Sequence, residues 1–339
     1  MGLEFVGVGD LHLDGKLSRH LPDLNSRILC EVKKVLSYAR RNGVPLIVFY
    51  GDICETPELS TEASRGLLQL LLQNADLQMI FLLGNHDREN SEKHSMQLFL
   101  DLAKGGVLPN LKVIETPTTL FKNTDTPLRL LPWPSLEVKK DCLNVIHEEV
   151  AGSVWDYGKS STSSRTTGDC WCVAGHIHTS QKVGRVHYSG TLYQTTFGEK
   201  PKKYFHHVSW VSGDEAPLIK RIPHEPSFKL VNHVVSSLKD LSAIDKDPNI
   251  LYKVFVQAEV TLETNTFAAF PNVVKVNSFK TKAELTSLIQ EELRLDEEFE
   301  VTNLLSVETN LKSWLLSADV EDKLRRKAYR KFVSMFRDS

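Results

Sequence analysis

Asp10 and His12 stand two positions apart at the end of the apolar run FVGVGDLHLDG, with glycines on either side. In a strand, residues i and i+2 point the same way, so this pair would present a carboxylate and an imidazole to one point, as a metal site requires. Alone, Asp-x-His is equally a strand running out into a polar loop. The same event recurs along the chain, however. PLIVFYGD ends in Asp52, MIFLLGNHD in Asn85, His86 and Asp87, NVIH in His147, and CVAGHIH in His176 and His178. Taken singly, the Gly-Asp is little more than a turn, and a lone His such as His147 is more often structural. The Gly-Asn-His-Asp and Gly-His-x-His stretches are more specific. Gly84 lets the backbone turn so that Asn85 offers a neutral oxygen, and His176 and His178 would share one side of an extended segment. If the strands share a sheet, two carboxylates, one amide oxygen and four imidazoles meet on one rim. That exceeds the needs of one ion and suits two divalent ions roughly 3.5 to 4 Å apart with a shared carboxylate.

The elements that must position these groups follow a clear rhythm. From residue 1 to about 210, β-branched and aromatic runs alternate with helical patterns, with amphipathic stretches near 24–41 and 59–75, the βαβ pattern that sets functional groups at the carboxyl ends of strands. Later runs (LKVIE, LRLLPW, CLNVIHEEV, CWCVAGHIH, VHYSGT, YFHHVSWVS) lie too close together for helices between most of them. YGKSSTSSRTTGD reads as a polar loop. Around 212–228, SGDEAPLIKRIPHEPSF concentrates Pro, Gly and charge as a linker does. Beyond it, ILYKVFVQAEVTL and VVKVNSF read as strands and KTKAELTSLIQEEL as a helix begun by Thr281 or Lys282, which together make a small α+β unit. The end of the chain is helical and basic, with Leu311, Trp314 and Leu315 before a break near Ser317. Asp319 then caps a helix whose Val320, Leu324, Ala328, Phe332 and Phe336 form one apolar stripe.

At 339 residues, 41% hydrophobic and 25% charged, the chain has an ordinary globular composition and room for more than one unit. The net charge of −2 argues against a general polycation, so any grip on nucleic acid must be local. Five scattered cysteines fit reduced thiols. No signal-peptide pattern or membrane-length apolar run is seen, so the expectation is a soluble, cytoplasmic protein.

The ordered set Asp-x-His, Gly-Asp, Gly-Asn-His-Asp, lone His and Gly-His-x-His resembles the calcineurin-like metallophosphoesterase superfamily over residues 4 to about 210. The resemblance implies an α/β (α+β) fold: a four-layer metallophosphoesterase β-sandwich flanked by helices. It also implies that Asp10, His12, Asp52 and His178 hold one ion, while Asp52, Asn85, His147 and His176 hold the other. His86 then stands outside both and protonates the leaving oxygen or stabilises the transition state, with Asp87 orienting it through a hydrogen bond.

Within that superfamily, GDICETP and GHIHTSQKVGRVHYSGTLYQTTFGE are similar to stretches of the SbcD-type nuclease subunit, in the meiotic-recombination-eleven family. Leu11, Asp14 and Glu55 depart from its usual Trp, Gly and Asp. This likeness implies a manganese-preferring, magnesium-tolerant DNA nuclease, exonucleolytic on duplex ends and endonucleolytic on single strands. Its partners would be DNA and an SbcC-like ATPase with a long coiled coil, with a homodimer giving a heterotetramer, in a bacterial or phage-infected cell. The expected plan is a nuclease domain at 1–212, a linker at 213–228, an α+β capping and DNA-binding domain at 229–300, and a partner-binding helix pair at 308–339. Lys16, Arg19 and Arg88 are the expected rim contacts to DNA, and Leu311, Trp314, Leu324, Phe332 and Phe336 the expected contacts to the ATPase. Two rivals remain open. One is a small-substrate phosphoesterase, a cyclic nucleotide phosphodiesterase or a phosphatase, although phosphatases more often carry Gly-Asn-His-Glu. The other is a scaffold of the same fold without catalysis, against which the intact set of donors speaks.

Overall fold

The computed structural model of the chain describes residues 2–289 apart from 91, 92, 156, 157, 214 and 263–265. Two six-stranded mixed sheets carry the site. The first sheet runs in the order β12 (Leu218–His224), β11 (Lys203–Trp210), β1 (Leu3–Val8), β2 (Leu46–Phe49), β3 (Gln78–Leu82) and β4 (Leu111–Ile114). The second runs β5 (Thr118–Leu120), β6 (Leu128–Leu131), β7 (Leu143–His147), β8 (Cys172–Gly175), β10 (Val186–Tyr188) and β9 (Gln181–Val183). One apolar cluster joins them: Phe5, Val48 and Leu82 of the first sheet pack with Leu130, Val145 and Val173 of the second. Strands buried on both faces have no polar alternation, which is why β2, β3 and β7 read as near-continuous apolar runs.

On the outer face of the first sheet lie α1 (Leu24–Arg41), α2 (Thr61–Gln73) and α3 (Gln97–Lys104). The Ile28, Val32, Val35 and Ala39 stripe of α1 is buried there with Leu67 of α2 and Phe99 of α3, the helical period burying one face only. The Ser60 side chain caps α2 by accepting from Ala63 N at 3.2 Å. The mixed α/β sandwich of two sheets with flanking helices is that expected from the sequence; the described helices pack on the first sheet, and Val150 and Cys170 from loops pack on the second. Helix α3 is one of the elements missed, since eight residues hold too few turns to show a period.

The stretch expected to be a linker is not one. Residues 218–224 form edge strand β12, which pairs antiparallel with β11 over Ser209↔Leu218 to Lys203↔His224. Pro223 is tolerated because an edge strand has one side without a ladder. The segment that follows is fastened to α1: Glu31, fully buried, accepts from His224 Nε2 at 2.8 Å, from Ser227 N at 2.9 Å and from the Ser227 hydroxyl. Burial works against ionisation of Glu31, but His224, Lys34 and Ser227 outweigh it and hold its carboxyl at about 2.

A third sheet of parallel strands follows, in the order β13 (Lys229–Val235), β14 (Ile250–Gln257) and β15 (Val273–Phe279). It joins the body through Gln194, whose side chain accepts from Leu230 N at 3.1 Å and donates to Leu230 O at 3.2 Å, and through Asn232, which donates to Phe197 O at 2.9 Å. Its own apolar cluster is built on Val235, Val254 and Val256. A separate unit begins at Thr281; residues 282–289 are helical and Glu284 N donates to the Thr281 side chain at 3.1 Å, so the expected helix start at Thr281 is observed. The tail with Leu311, Trp314, Leu324, Phe332 and Phe336 lies outside the described residues. Among the described residues no helix is long and apolar enough to cross a membrane.

Candidate metal centre

The chemistry gathers where β1, β2, β3, β7 and β8 end. Asp10 and His12 do not converge through a strand's pleat, because β1 stops at Val8. They sit in left-handed backbone, with φ of 35° and 49°, and so do Asp52 at 50° and His176 at 81°. Among the described residues, four of the six non-glycine positions with positive φ are therefore candidate ligands. Such conformations cost on the order of 1–3 kcal/mol each and persist where surrounding contacts dictate them, commonly at functional sites. Two glycines are required by close approach: a Cβ at Gly84 would lie 2.0 Å from Asp52 Oδ1, and one at Gly51, itself at φ +105°, 2.2 Å from His147 Nδ1.

Asp52 occupies the middle. Its Oδ2 is 3.0 Å from His147 Nε2 and 4.0 Å from His12 Nε2, while Oδ1 accepts from His86 N at 3.0 Å. On one side, Asn85 Oδ1 lies 2.9 Å from His147 Nε2 and 3.0 Å from His176 Nδ1. On the other, the Nε2 atoms of His12 and His178 are 3.0 Å apart. Asp10 Oδ1 accepts from His176 N at 2.8 Å and lies 3.7 Å from His147 Nδ1. All seven expected ligands are thus brought together, with Asp52 between two groups.

The donor set fits divalent cations on grounds internal to the structure. His147 Nδ1 donates to the Tyr50 carbonyl at 2.7 Å, so its Nε2 faces two acceptors, Asp52 Oδ2 and Asn85 Oδ1. His178 Nδ1 donates to Glu199 at 3.0 Å, which turns its Nε2 lone pair toward His12. Asp10 Oδ2 is buried without a hydrogen-bond partner among the described residues. Converging acceptors repel unless a proton or a cation lies between them, and ligands about 2.1 Å from an octahedral ion stand about 3 Å apart, the spacing seen here. In the absence of a cation a proton takes that place. Burial alone would depress His147, yet Asp52 and Asp10 push it up to about 9. Burial would likewise raise Asp52, but His147, His86 and His12 hold it well below the usual carboxylate range. Asp10 is raised, burial outweighing the histidines around it. A cation and a proton therefore compete for His147 Nε2.

His86 stands half-buried beside this cluster, its ring edge-on to His12 at 5.0 Å between centroids. Its Nδ1 donates to the Glu55 carbonyl at 2.9 Å. This overturns the expected role of Asp87 as its orienting partner. The Asp87 carboxylate is fully buried and accepts from Gly84 N, Cys54 N, Ile53 N and the Ser95 hydroxyl at 2.9 to 3.3 Å. Asp87 thereby ties the β2 and β3 loops together, a role hidden in the sequence because the next residue in the chain need not be the next in space.

The departures from the nuclease pattern also acquire reasons. Asp14, at φ 62° where a glycine would be at ease, receives Asn25 Nδ2 and the Ser60 hydroxyl at 2.7 Å each, and Ser60 N at 2.7 Å. Those bonds lock the His12 loop to α1 and the start of α2. Glu55 brings a carboxylate oxygen 2.9 Å from His12 Nδ1, with Lys16 Nζ 3.9 Å away. Of the expected rim cations, Lys16 and Arg19 are exposed, whereas Arg88 is half-buried and donates to the Glu115 carbonyl. Arg88 is thus a loop brace, its guanidinium turned to the Glu115 carbonyl while its Nε is buried without a hydrogen-bond partner among the described residues.

Glu199 is the functional residue that sequence reasoning passed over. It is 5% exposed and receives His178, the Thr195 hydroxyl and the buried Lys203 ammonium. Burial favours its neutral form, but Lys203 and His178 keep it ionised. Glu199→Gln should weaken manganese binding by roughly 10- to 100-fold, the usual cost of losing an outer hydrogen bond to a ligating His, while the fold survives. Calorimetric titration against the wild type checks this, and an unchanged affinity would mean that Glu199 serves only to pair Lys203.

A mixed two-sheet sandwich with seven O and N donors at its strand ends defines a metal-dependent phosphoesterase. The chain belongs to the calcineurin-like phosphoesterase family, which it matches over residues 3–237. It is also 25% identical to exonuclease subunit 1 of Enterobacteria phage T4 over 248 residues, 67% of this chain and 69% of that protein.

Proposed function

We propose that the chain is a two-metal DNA nuclease, the nuclease subunit of an SbcC–SbcD-like complex that processes DNA ends. The observation that carries this reading is the joint presence of a seven-donor site with His86 at its lip and similarity to a phage protein named as an exonuclease subunit over two thirds of each chain. Asp52, Asn85, His147 and His176 hold one cation, and Asp10, His12, Asp52 and His178 the other, with manganese preferred. Bound, such a pair supplies a nucleophile at neutral pH and neutralises charge on the phosphoryl oxygens. The protein's own groups do the rest. Tyr50 and Glu199 fix the His147 and His178 rings so that each turns Nε2 inward. His86, held by the Glu55 carbonyl, gives a proton to the leaving oxygen. Lys16 and Arg19 meet the DNA backbone at the rim, and the third sheet caps the substrate. An SbcC-like ATPase is the partner.

End-labelled linear duplex, incubated with manganese or magnesium across a salt series, tests the reading. Mononucleotide release with manganese, falling steeply as salt rises, is expected of a protein that neutralises backbone phosphates. Hydrolysis of bis(p-nitrophenyl) phosphate without any cleavage of DNA, alone or with the ATPase, would instead place the chain among small-substrate phosphoesterases.

A further inference from the structure

A second concentration of charge lies away from the cation cluster, near the opposite end of β8. Trp171 precedes that strand, and over its ring sit Lys182 Nζ at 5.9 Å and Arg185 Cζ at 5.1 Å from the centroid. His187 of β10 lies 6.1 Å from Trp171 and 6.5 Å from His206 of β11. Arg221 pairs with His206 across the β11–β12 ladder and places its guanidinium 5.4 Å over Tyr204. Both sheets contribute, so the cluster sits where β9 and β10 of one meet β11 and β12 of the other.

Acidic partners are missing from it. Lys182, Arg185 and Arg221 form no ion pair among the described residues, and Arg185 donates to the Asp169 carbonyl at 2.8 Å. His206 is fully buried; its Nδ1 meets the Tyr50 hydroxyl at 3.4 Å, and the Tyr188 backbone offers the ring a further hydrogen bond. His187 Nε2 is buried without a partner among the described residues. Burial, with Lys182 and Arg221 nearby, presses His187 down to about 4, and burial with His187 and Arg221 presses His206 to about 3. Cations gathered without a counter-charge, around the unpartnered His187 Nε2, form an environment that an anion completes.

We propose that Lys182, Arg221 and His187, backed by His206, form a second site that takes a phosphate group, distinct from the cation cluster. A tetrahedral oxyanion suits it, since its several acceptor oxygens can meet an ammonium, a guanidinium and an imidazole at once. The phosphate comes either from a free anion or mononucleotide or from a nucleic-acid backbone, and the inference does not depend on DNA being the substrate. Tyr50 touches both places, through its hydroxyl to His206 and its carbonyl to His147.

The test is histidine side-chain NMR on the full, metal-free chain, with His187 and His206 assigned by His187→Gln and His206→Gln. Three probes are added separately: inorganic phosphate, a deoxynucleoside monophosphate and a short single-stranded oligonucleotide. Saturable movement of both resonances is expected. Arg221→Ala and Lys182→Ala should each weaken the response by roughly 10-fold or more, as loss of a charge-assisted contact does, while Lys104→Ala on α3 leaves it unchanged. Equal response to phosphate and mononucleotide identifies a free-anion site, and a much stronger response to the oligonucleotide identifies a backbone phosphate. No movement with any probe, or movement unaltered in both variants, would overturn the proposal.

Discussion

Asp52→Asn should yield a folded protein that binds manganese weakly at both positions and hydrolyses DNA roughly 10³-fold more slowly or worse. The substitution keeps shape and suits the backbone, because Asn tolerates the left-handed φ of 50° that residue 52 adopts. It removes only the charge. That charge faces both halves of the cluster, since Asp52 Oδ2 lies 3.0 Å from His147 and 4.0 Å from His12. Loss of an outer hydrogen bond to a metal ligand costs about 10- to 100-fold, and a donor shared between two ions must cost more. Rates on labelled duplex, paired with thermal melts, check the result. Normal binding at one position would assign Asp52 to a single ion.

His86→Ala should separate binding from chemistry. The contact of residue 86 with Asp52 is made by its backbone N–H, which alanine retains, so manganese affinity should stay near the wild-type value. Turnover should fall by roughly 10²- to 10⁴-fold, the usual worth of a positioned general acid, and the pH–rate profile should lose the limb that reports its proton. A falling kcat with unchanged metal affinity is the signature. Loss of both ions in this variant would make His86 a ligand, a reading its closeness to His12 and Glu55 permits.

Much of this candidate site was legible in the sequence because each expected ligand stops an apolar run, and parallel strands bring such stops to one edge. Asp10, His12, Asp52, Asn85, His147, His176 and His178 all arrive where that rule puts them. The local reason differed: left-handed turns beyond the strands aim Asp10, His12 and His176, and residue spacing alone does not reveal φ. Asp87 was misread because it follows His86 in the chain, whereas its carboxylate is committed to the Gly84, Ile53 and Cys54 amides. Glu199 and Tyr50 escaped notice since they act on the far nitrogens of His178 and His147, contacts that only folding creates. Strand β12 was hidden by Pro223 and by charges that an exposed edge accommodates.

The central claim is that this chain builds one site for two cations. Equilibrium dialysis of the full chain against manganese, followed by elemental analysis, counts them directly. Two ions per chain in the wild type, with neither retained by Asp52→Asn at the same free concentration, is the predicted result. A single ion at saturation, or two that survive the loss of the Asp52 charge, would contradict the shared-carboxylate site.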